Sequence, residues 1–130
     1  MANIETALNA RLKAHAGLSA LVSTRVYPNH APQSPTYPLV IHSHDSTDRV
    51  SAMASDTGNV SSIHTVSAIA ETYTAATAAA VQVLAALQRY SGTSDTVVIA
   101  DAFVIDEDHS FDPDLDVWIL DIDFLVWYSE

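Results

Sequence analysis

The C-terminal stretch, residues 117–130, constrains the fold most, because apolar side chains recur there at every second position. In an extended chain, every second side chain points to the same face of a sheet. The pattern therefore predicts a strand with one buried face, formed by Trp118, Leu120, Ile122, Phe124, Val126 and Tyr128. The opposite face carries Asp121 and Asp123 between apolar ends, which indicates that it is only partly covered.

Helical spacing appears near the N-terminus and again in the middle of the chain. Ile4, Leu8 and Leu12 follow the N-cap residue Asn3, and Gly17 supplies a C-terminal stop before a short helical turn over residues 18–22. Thr72 or Thr74 caps an alanine-rich helix. No charged residue lies between Glu71 and Arg89, so this helix is expected to pack between the sheet and a second surface, for which another subunit is a candidate.

Strands are predicted over residues 39–44, 60–70, 97–105 and 117–128. Residues 29–38 contain three prolines and form an extended connector. Residues 45–59 are predicted to be a long loop that is mobile or orders against a neighbouring subunit, and residues 106–116 a hairpin loop. The order of elements predicts one α+β domain over residues 1–130: a mainly antiparallel, four-stranded sheet with the helices packed on one face.

Charge limits the partners of the chain. The sequence has 16 Asp and Glu against 5 Lys and Arg, a formal net charge of −11, and the excess lies in the second half. Such a field disfavours binding to nucleic acid or anionic membrane, although DNA could pass it without binding. No cysteine, secretory signal or apolar stretch of about 20 residues is present. A soluble protein made in a cytoplasm, with no membrane contact, is expected.

Two groups of side chains could form sites. The loop with Asp106, Asp108, Asp112 and Asp114 resembles a calcium loop but has Phe111 or Pro113 where the EF-hand needs Gly, so an acidic hairpin tip facing a channel is preferred. His42 and His44 share a strand face, and His64 on the next strand could join them in a zinc site. The alternative is that these histidines are ordinary polar positions or subunit contacts.

Catalytic motifs are missing from the sequence: there is no GxSxG, P-loop, GxGxxG or HExxH motif. We therefore expect no enzymatic activity and no cofactor. Aromatic residues exceed what one sheet face needs, and they are enriched in the cores of subunit interfaces. The candidates for a subunit or tube interface are Trp127, Tyr128 and Tyr27, together with Met53 in the loop 45–59.

Short motifs in a fixed order resemble a known family. They are Ile4-Glu5-Thr6-Ala7-Leu8 with Arg11-Leu12, then Gly17-Leu18, Leu21-Val22, Arg25-Val26-Tyr27-Pro28, Tyr37-Pro38, Thr72-Tyr73-Thr74-Ala75-Ala76 and Asp123-Phe124-Leu125-Val126-Trp127-Tyr128. Together they resemble the tail-completion, tail-terminator or head-to-tail joining proteins of long-tailed bacteriophages. The resemblance spans nearly the whole chain.

The resemblance implies a structural virion protein at the head-proximal end of the tail. Such a protein forms a homo-oligomeric ring, usually of six subunits, that ends growth of the tail tube and joins the tail to the head connector. It implies contacts with the tube protein and the connector, DNA passing through an acidic lumen without specific binding, and no catalysis. The alternative function is a small metal- or ligand-binding α+β module that uses His42, His44 and His64.

Overall fold

The computed structural model describes residues 3–51 and 56–129. Three helices and six strands make up this part of the chain: α1 Ile4–Ala14, α2 Ala16–Val22, β1 Val26–Pro28, β2 Leu39–Ser51, β3 Asp56–Ala70, α3 Tyr73–Leu87, β4 Gly92–Ser94, β5 Val97–Asp112 and β6 Val117–Ser129. Within the described residues, no helix is long and apolar enough to cross a bilayer.

Helices α1 and α3 begin where the sequence predicts, whereas α2 begins at Ala16, two residues before the predicted turn. Asn3 Oδ1 accepts a hydrogen bond from the backbone N–H of Thr6 at 3.1 Å, and Thr72 Oγ1 accepts one from Ala75 at 3.2 Å. Gly17 lies inside α2 rather than at its end. It faces α3, and a Cβ atom there would lie 2.0 Å from Gln82 Oε1, so the Gln82 side chain would have to move to admit a larger residue.

The sheet has six strands rather than the predicted four, in the order β1-β2-β3-β6-β5-β4. The four predicted strands form its antiparallel centre. Two three-residue strands extend its edges, and β1 runs parallel to β2, so the sheet is mixed. Strands this short contain no alternation of polar and apolar residues, which is why the sequence pattern did not predict them.

Both predicted long loops are largely strand. β2 and β3 continue pairing out to Ser51 opposite Asp56, and β5 continues to Asp112 opposite Val117. These extensions are rich in Ser, Thr and Asp on both faces, so they lack the half-buried alternation that marks a strand in sequence. The hairpin between β5 and β6 turns over residues 113–116 alone.

The helices pack against one face of the sheet, which we call the helix-covered face. Leu8 and Leu12 of α1 meet this face in a core that contains Leu120 and Phe124 of β6. Ile122, Val126 and Tyr128 are buried as predicted, while Trp118 is only half-buried. We call the other face the open face, because most of its side chains remain half-exposed. Near the residue 31–37 segment, Leu39 and Val117 are buried outside the main core.

Candidate functional site

Four carboxylates meet on the open face of the sheet. Asp106 of β5 lies opposite Asp123 of β6, and Asp108 lies opposite Asp121. These four residues and Thr65 of β3 line one surface cavity of about 260 Å³. Asp121 and Asp123 alternate with buried Leu120, Ile122 and Phe124, which explains why a strand with one apolar face presents carboxylates on the other.

Hydrogen bonds from hydroxyl groups of β3 stabilise these carboxylates but do not neutralise their charge. Ser67 Oγ donates to Asp121 at 2.5 Å, and Thr65 Oγ1 lies 2.8 Å from Asp123 and 2.7 Å from Asp45. One hydroxyl proton can serve only one carboxylate at a time. The open face therefore carries a concentrated negative field, which repels phosphate groups.

The predicted acidic group is divided between two places. Asp106 and Asp108 belong to strand β5 and join the open-face cluster. Asp112 instead supports the hairpin turn, because its Oδ1 accepts from the backbone N–H groups of Asp114 at 3.0 Å and Leu115 at 3.3 Å. Asp114 is exposed at the tip. Asp121 and Asp123, which the sequence pattern places on one strand face as lumen or interface charges, join Asp106 and Asp108 through the pairing of β5 with β6.

The three histidines are brought together, as the predicted zinc site required. His44 lies opposite His64, with ring centroids 5.2 Å apart, and His42 lies two residues along β2. His42 Nε2 is 3.0 Å from Asn9 Oδ1, and His64 Nε2 is 2.6 Å from Ser62 Oγ. In the described chain, however, no three His, Asp or Glu side chains are grouped so that they could hold a metal ion.

Burial keeps two of these rings neutral. It lowers the pKa of His42 to about 4, with a smaller effect from Lys13, and the pKa of His64 to about 3, with smaller effects from His44 and His42. Among the residues that the structure describes, none provides a hydrogen-bond partner for the Nδ1 atoms of His42 and His64. His44 is exposed and its Nε2 contacts Thr47 Oγ1. His42 and His64 are thus buried polar side chains, and His42 lies beneath α1, where it contacts Asn9.

The aromatic residues predicted to lie at an interface occupy different environments. Trp127 is half-buried on the open face, opposite Ser61 and Asp101, and Tyr27 is half-buried on β1. Tyr128 is 4 % exposed and belongs to the core, so its ring packs inside the subunit. Met53 lies outside the described residues.

A second aromatic cluster was not predicted. Trp118 contacts Tyr73 and Phe111, with ring centroids 5.1 Å and 5.0 Å apart, and Tyr73 hydroxyl lies 3.2 Å from His109 Nδ1. Tyr73 and Phe111 remain 44 % and 42 % exposed. This cluster joins the start of α3 to the end of the β5–β6 hairpin. Nothing in the sequence spacing connects these residues, because the contact depends on the hairpin extending beyond its predicted strands.

The fold has a known counterpart. A solved structure described as the virion of a native gene transfer agent (GTA) particle contains a chain that superposes with a TM-score of 0.74 at 24 % sequence identity, covering 98 % of this chain and 95 % of that one. A comparison with curated protein sequences gives no match. Residues 6–129 match the sequence profile described as Tail completion protein gp17. Because that match covers nearly the whole domain, from the first turn of α1 to the end of β6, the chain belongs to the tail completion protein gp17 family.

Proposed function

We propose that this protein is a structural component of a bacteriophage tail. In this proposal it forms a ring, of six copies, at the head-proximal end of the tail tube, where it ends tube growth and joins the tail to the head connector. The observation that carries the proposal is the family match over residues 6–129. The likeness of the fold to a chain of a phage-like virion particle supports it.

The open face is the surface that we assign to the channel. Asp106, Asp108, Asp121 and Asp123 lie together there, and the described residues that line their cavity include no lysine or arginine. A wall of carboxylates repels the phosphates of DNA, since binding DNA needs cations that displace its counterions. DNA would therefore slide along this surface without being held.

The remaining assignments concern contacts outside the subunit. We assign Trp127 and Tyr27, which are both half-buried, to contacts with a neighbouring copy or with the tail tube protein. The cluster of Tyr73, Phe111 and Trp118 is a further candidate for such a contact, because large aromatic side chains are enriched in interface cores. A catalytic role has no support from the family or from the grouping of the described side chains.

Native mass spectrometry of the purified protein tests the ring directly. A species near six times 14.0 kDa is expected.

Deleting the gene from the phage or prophage that encodes it tests the place in the virion: heads and tails should accumulate without joining, and the tails should vary in length. Normal virions without the chain would overturn the proposal.

The channel assignment has its own test. In the double variant Asp121→Asn and Asp123→Asn, amide oxygens still accept from Ser67 and Thr65, so the fold is kept while two charges are removed. We expect rings and tails to assemble normally but DNA ejection to slow. The matched control is Asp95→Asn with Glu71→Gln, which removes the same charge at exposed sites outside the cluster. Equal ejection by both variants would contradict a channel role for the open face.

A further inference from the structure

The two flanks of the sheet, β1 with the adjoining end of α1 on one side and the outer edge of β5 on the other, contain residues that lie in the same row across the strands. The register runs from Pro28 on β1 to His42 on β2, then across Val66 and Ile122 to Glu107 on β5. Strand β1 is parallel to β2, whereas β5 is antiparallel to it. Copies placed side by side with their strands aligned would therefore bring β5 of one against β1 of the next, in antiparallel orientation.

The β5 flank is acidic and its edge is open. β4 pairs only with Val97–Ile99, and residues of the α3–β4 connection cap the next part: Arg89 N–H donates to the Ala102 carbonyl at 2.5 Å and Val104 N–H to Gln88 Oε1 at 2.9 Å. Beyond this point, no strand of the described chain pairs with the outer edge of β5. Asp106, Glu107 and Asp108 are all exposed there. Open edges of this kind are ready to meet another chain.

The β1 flank carries two cations, Lys13 and Arg25. Of the five cations in the sequence, Arg11 stacks on Tyr90 at 4.3 Å and Arg89 pairs with Asp101 at 3.1 Å. Lys13 is exposed, and Arg25 donates to the Pro38 carbonyl at 2.9 Å. No carboxylate within the described residues forms an ion pair with Lys13 or Arg25. Both lie beside β1, because Arg25 directly precedes it and Lys13 lies one helical turn after Asn9, whose side chain contacts His42, the residue opposite Pro28.

The two charges also face the same side of the sheet. Glu107 lies opposite Ile122, which is 3 % exposed and points into the core, so the Glu107 side chain projects on the helix-covered side. Lys13 belongs to α1, which packs on that side. A sideways displacement of one copy therefore brings unlike charges together at one height and on one side.

We propose that the β5 flank of one copy docks on the β1 flank of the next, with Glu107 facing Lys13 of the neighbouring copy. This contact joins two different surfaces of the same chain, so it repeats around a ring and leaves no copy with an unused flank. For a chain with a net charge of −11, it places the acidic edge against Lys13 and Arg25 and reduces the repulsion between copies. The inference deepens the proposed ring and rests on it for its biological setting.

Zero-length cross-linking tests the contact with the natural sequence, because Lys13 is the one lysine in the chain. A carbodiimide joins a lysine amine to a carboxylate as an amide and takes up the water that is released. A link within one copy leaves the mass of a single chain, so only the Lys13–Glu107 peptide recovered from cross-linked species of two or more copies reports the contact. The reagent should be applied both to purified protein and to isolated tails.

The expected result is a ladder of cross-linked species beyond the dimer, with a Lys13–Glu107 peptide identified by mass spectrometry. Lys13→Arg is the control, since it keeps the charge and assembly but removes this ladder. The proposal is overturned by a ladder that ends at the dimer, by coupling of Lys13 only to other carboxylates, or by no link in either preparation.

Charge exchange provides a second readout. Lys13→Glu and Glu107→Lys should each reduce the ring fraction at least tenfold, and the double exchange should restore it. Glu71→Lys changes the charge by the same amount as Glu107→Lys, at an exposed site between β3 and α3. It should leave the ring intact. Failure of the double exchange to restore assembly would contradict the pairing.

The test separates this inference from the proposed function. Rings present in tails but lacking the Lys13–Glu107 link would remove the inferred contact and leave the function standing. A ladder from purified protein, together with tails that never contain the chain, would keep the contact and remove the function.

Discussion

Asp108 lies directly opposite Asp121 in the pairing of β5 with β6, on the face of the sheet that no helix covers. Like charges at directly opposite positions of an antiparallel pair are destabilising. Folding alone gives no reason for this arrangement, and it recurs in the next pair on the same face, Asp106 and Asp123. Its energetic cost can be measured.

Replacing Asp108 by Asn should increase the free energy of unfolding by up to about 1 kcal/mol at low salt, because the repulsion with Asp121 is removed. The gain should shrink at about 1 M salt, where the screening length falls to roughly 3 Å. Urea denaturation at both salt concentrations measures the difference. Asp114→Asn, at the exposed hairpin tip, is the control. An equal gain in the control would mean that net charge, rather than the pair, sets the effect.

The buried histidines should make the fold sensitive to acid. The pKa of His42 falls from 6.5 to about 4 on folding, and that of His64 falls from 6.5 to about 3. As the pH falls from 6.5 towards these lower values, the unfolded chain therefore binds more protons than the folded one. Their contribution to the free energy of unfolding is therefore complete above pH 6.5 and is lost progressively as the pH falls towards 4 and 3. Denaturation curves at pH 7, 5.5 and 4.5 follow this loss.

Protonation of the many carboxylates also changes stability in acid, so the histidine contribution must be isolated by comparison. His42→Gln removes one titrating group and should show a smaller fall between pH 7 and 4.5 than the wild type, even where it is less stable at pH 7. His30→Gln alters an exposed histidine and should follow the wild-type curve. Parallel curves for all three proteins would show that burial of His42 does not set the acid sensitivity.

An element could be predicted from the sequence where burial of one face or a helix cap leaves a recognisable pattern of residues. The central strands were predicted because Leu120, Ile122 and Phe124 bury one face, and the helices because caps such as Asn3 and Thr72 mark their starts. The edge strands and the polar ends of the hairpins carry no periodic burial. These segments are placed by their register with the neighbouring strands. Small polar residues such as Ser61 and Ser62 give no sign of that register in the sequence.

The same reasoning applies to the candidate surfaces. Asp106 and Asp108 could be recognised from local composition, whereas their association with Asp121 and Asp123 depended on the strand pairing. His44 and His64 lie side by side, as the sequence allowed, but the burial of His42 and His64 could not be predicted before the helices were placed on the sheet. The unlike charges of the two flanks could likewise be recognised only after Lys13 had been placed on α1 and Glu107 on β5.

Trp127 and Tyr128 are adjacent in sequence but should respond differently to truncation. Tyr128 is 4 % exposed in the core, so Tyr128→Ala should lower the free energy of unfolding by about 3–5 kcal/mol. Trp127 is half-buried on the open face, and Trp127→Ala should have a smaller effect on the monomer but reduce assembly. Urea denaturation and native mass spectrometry, run on both variants, separate the two effects. Normal rings from Trp127→Ala would remove it from the interface.

Asp112 should stabilise the β5–β6 hairpin through its side chain rather than through its charge at the tip. Its Oδ1 accepts two backbone N–H groups, those of Asp114 and Leu115, so Asp112→Ala leaves both donors without this partner. We expect a loss of about 1 kcal/mol, as for other side chains that cap backbone donors. Asp112→Asn keeps an acceptor oxygen and should retain most of the stability. Asp114→Ala, which removes the same charge two residues away, should change stability little. Faster amide hydrogen exchange at residues 113–116 in Asp112→Ala alone would locate the effect in the turn, whereas equal losses in Asp112→Asn would assign it to charge.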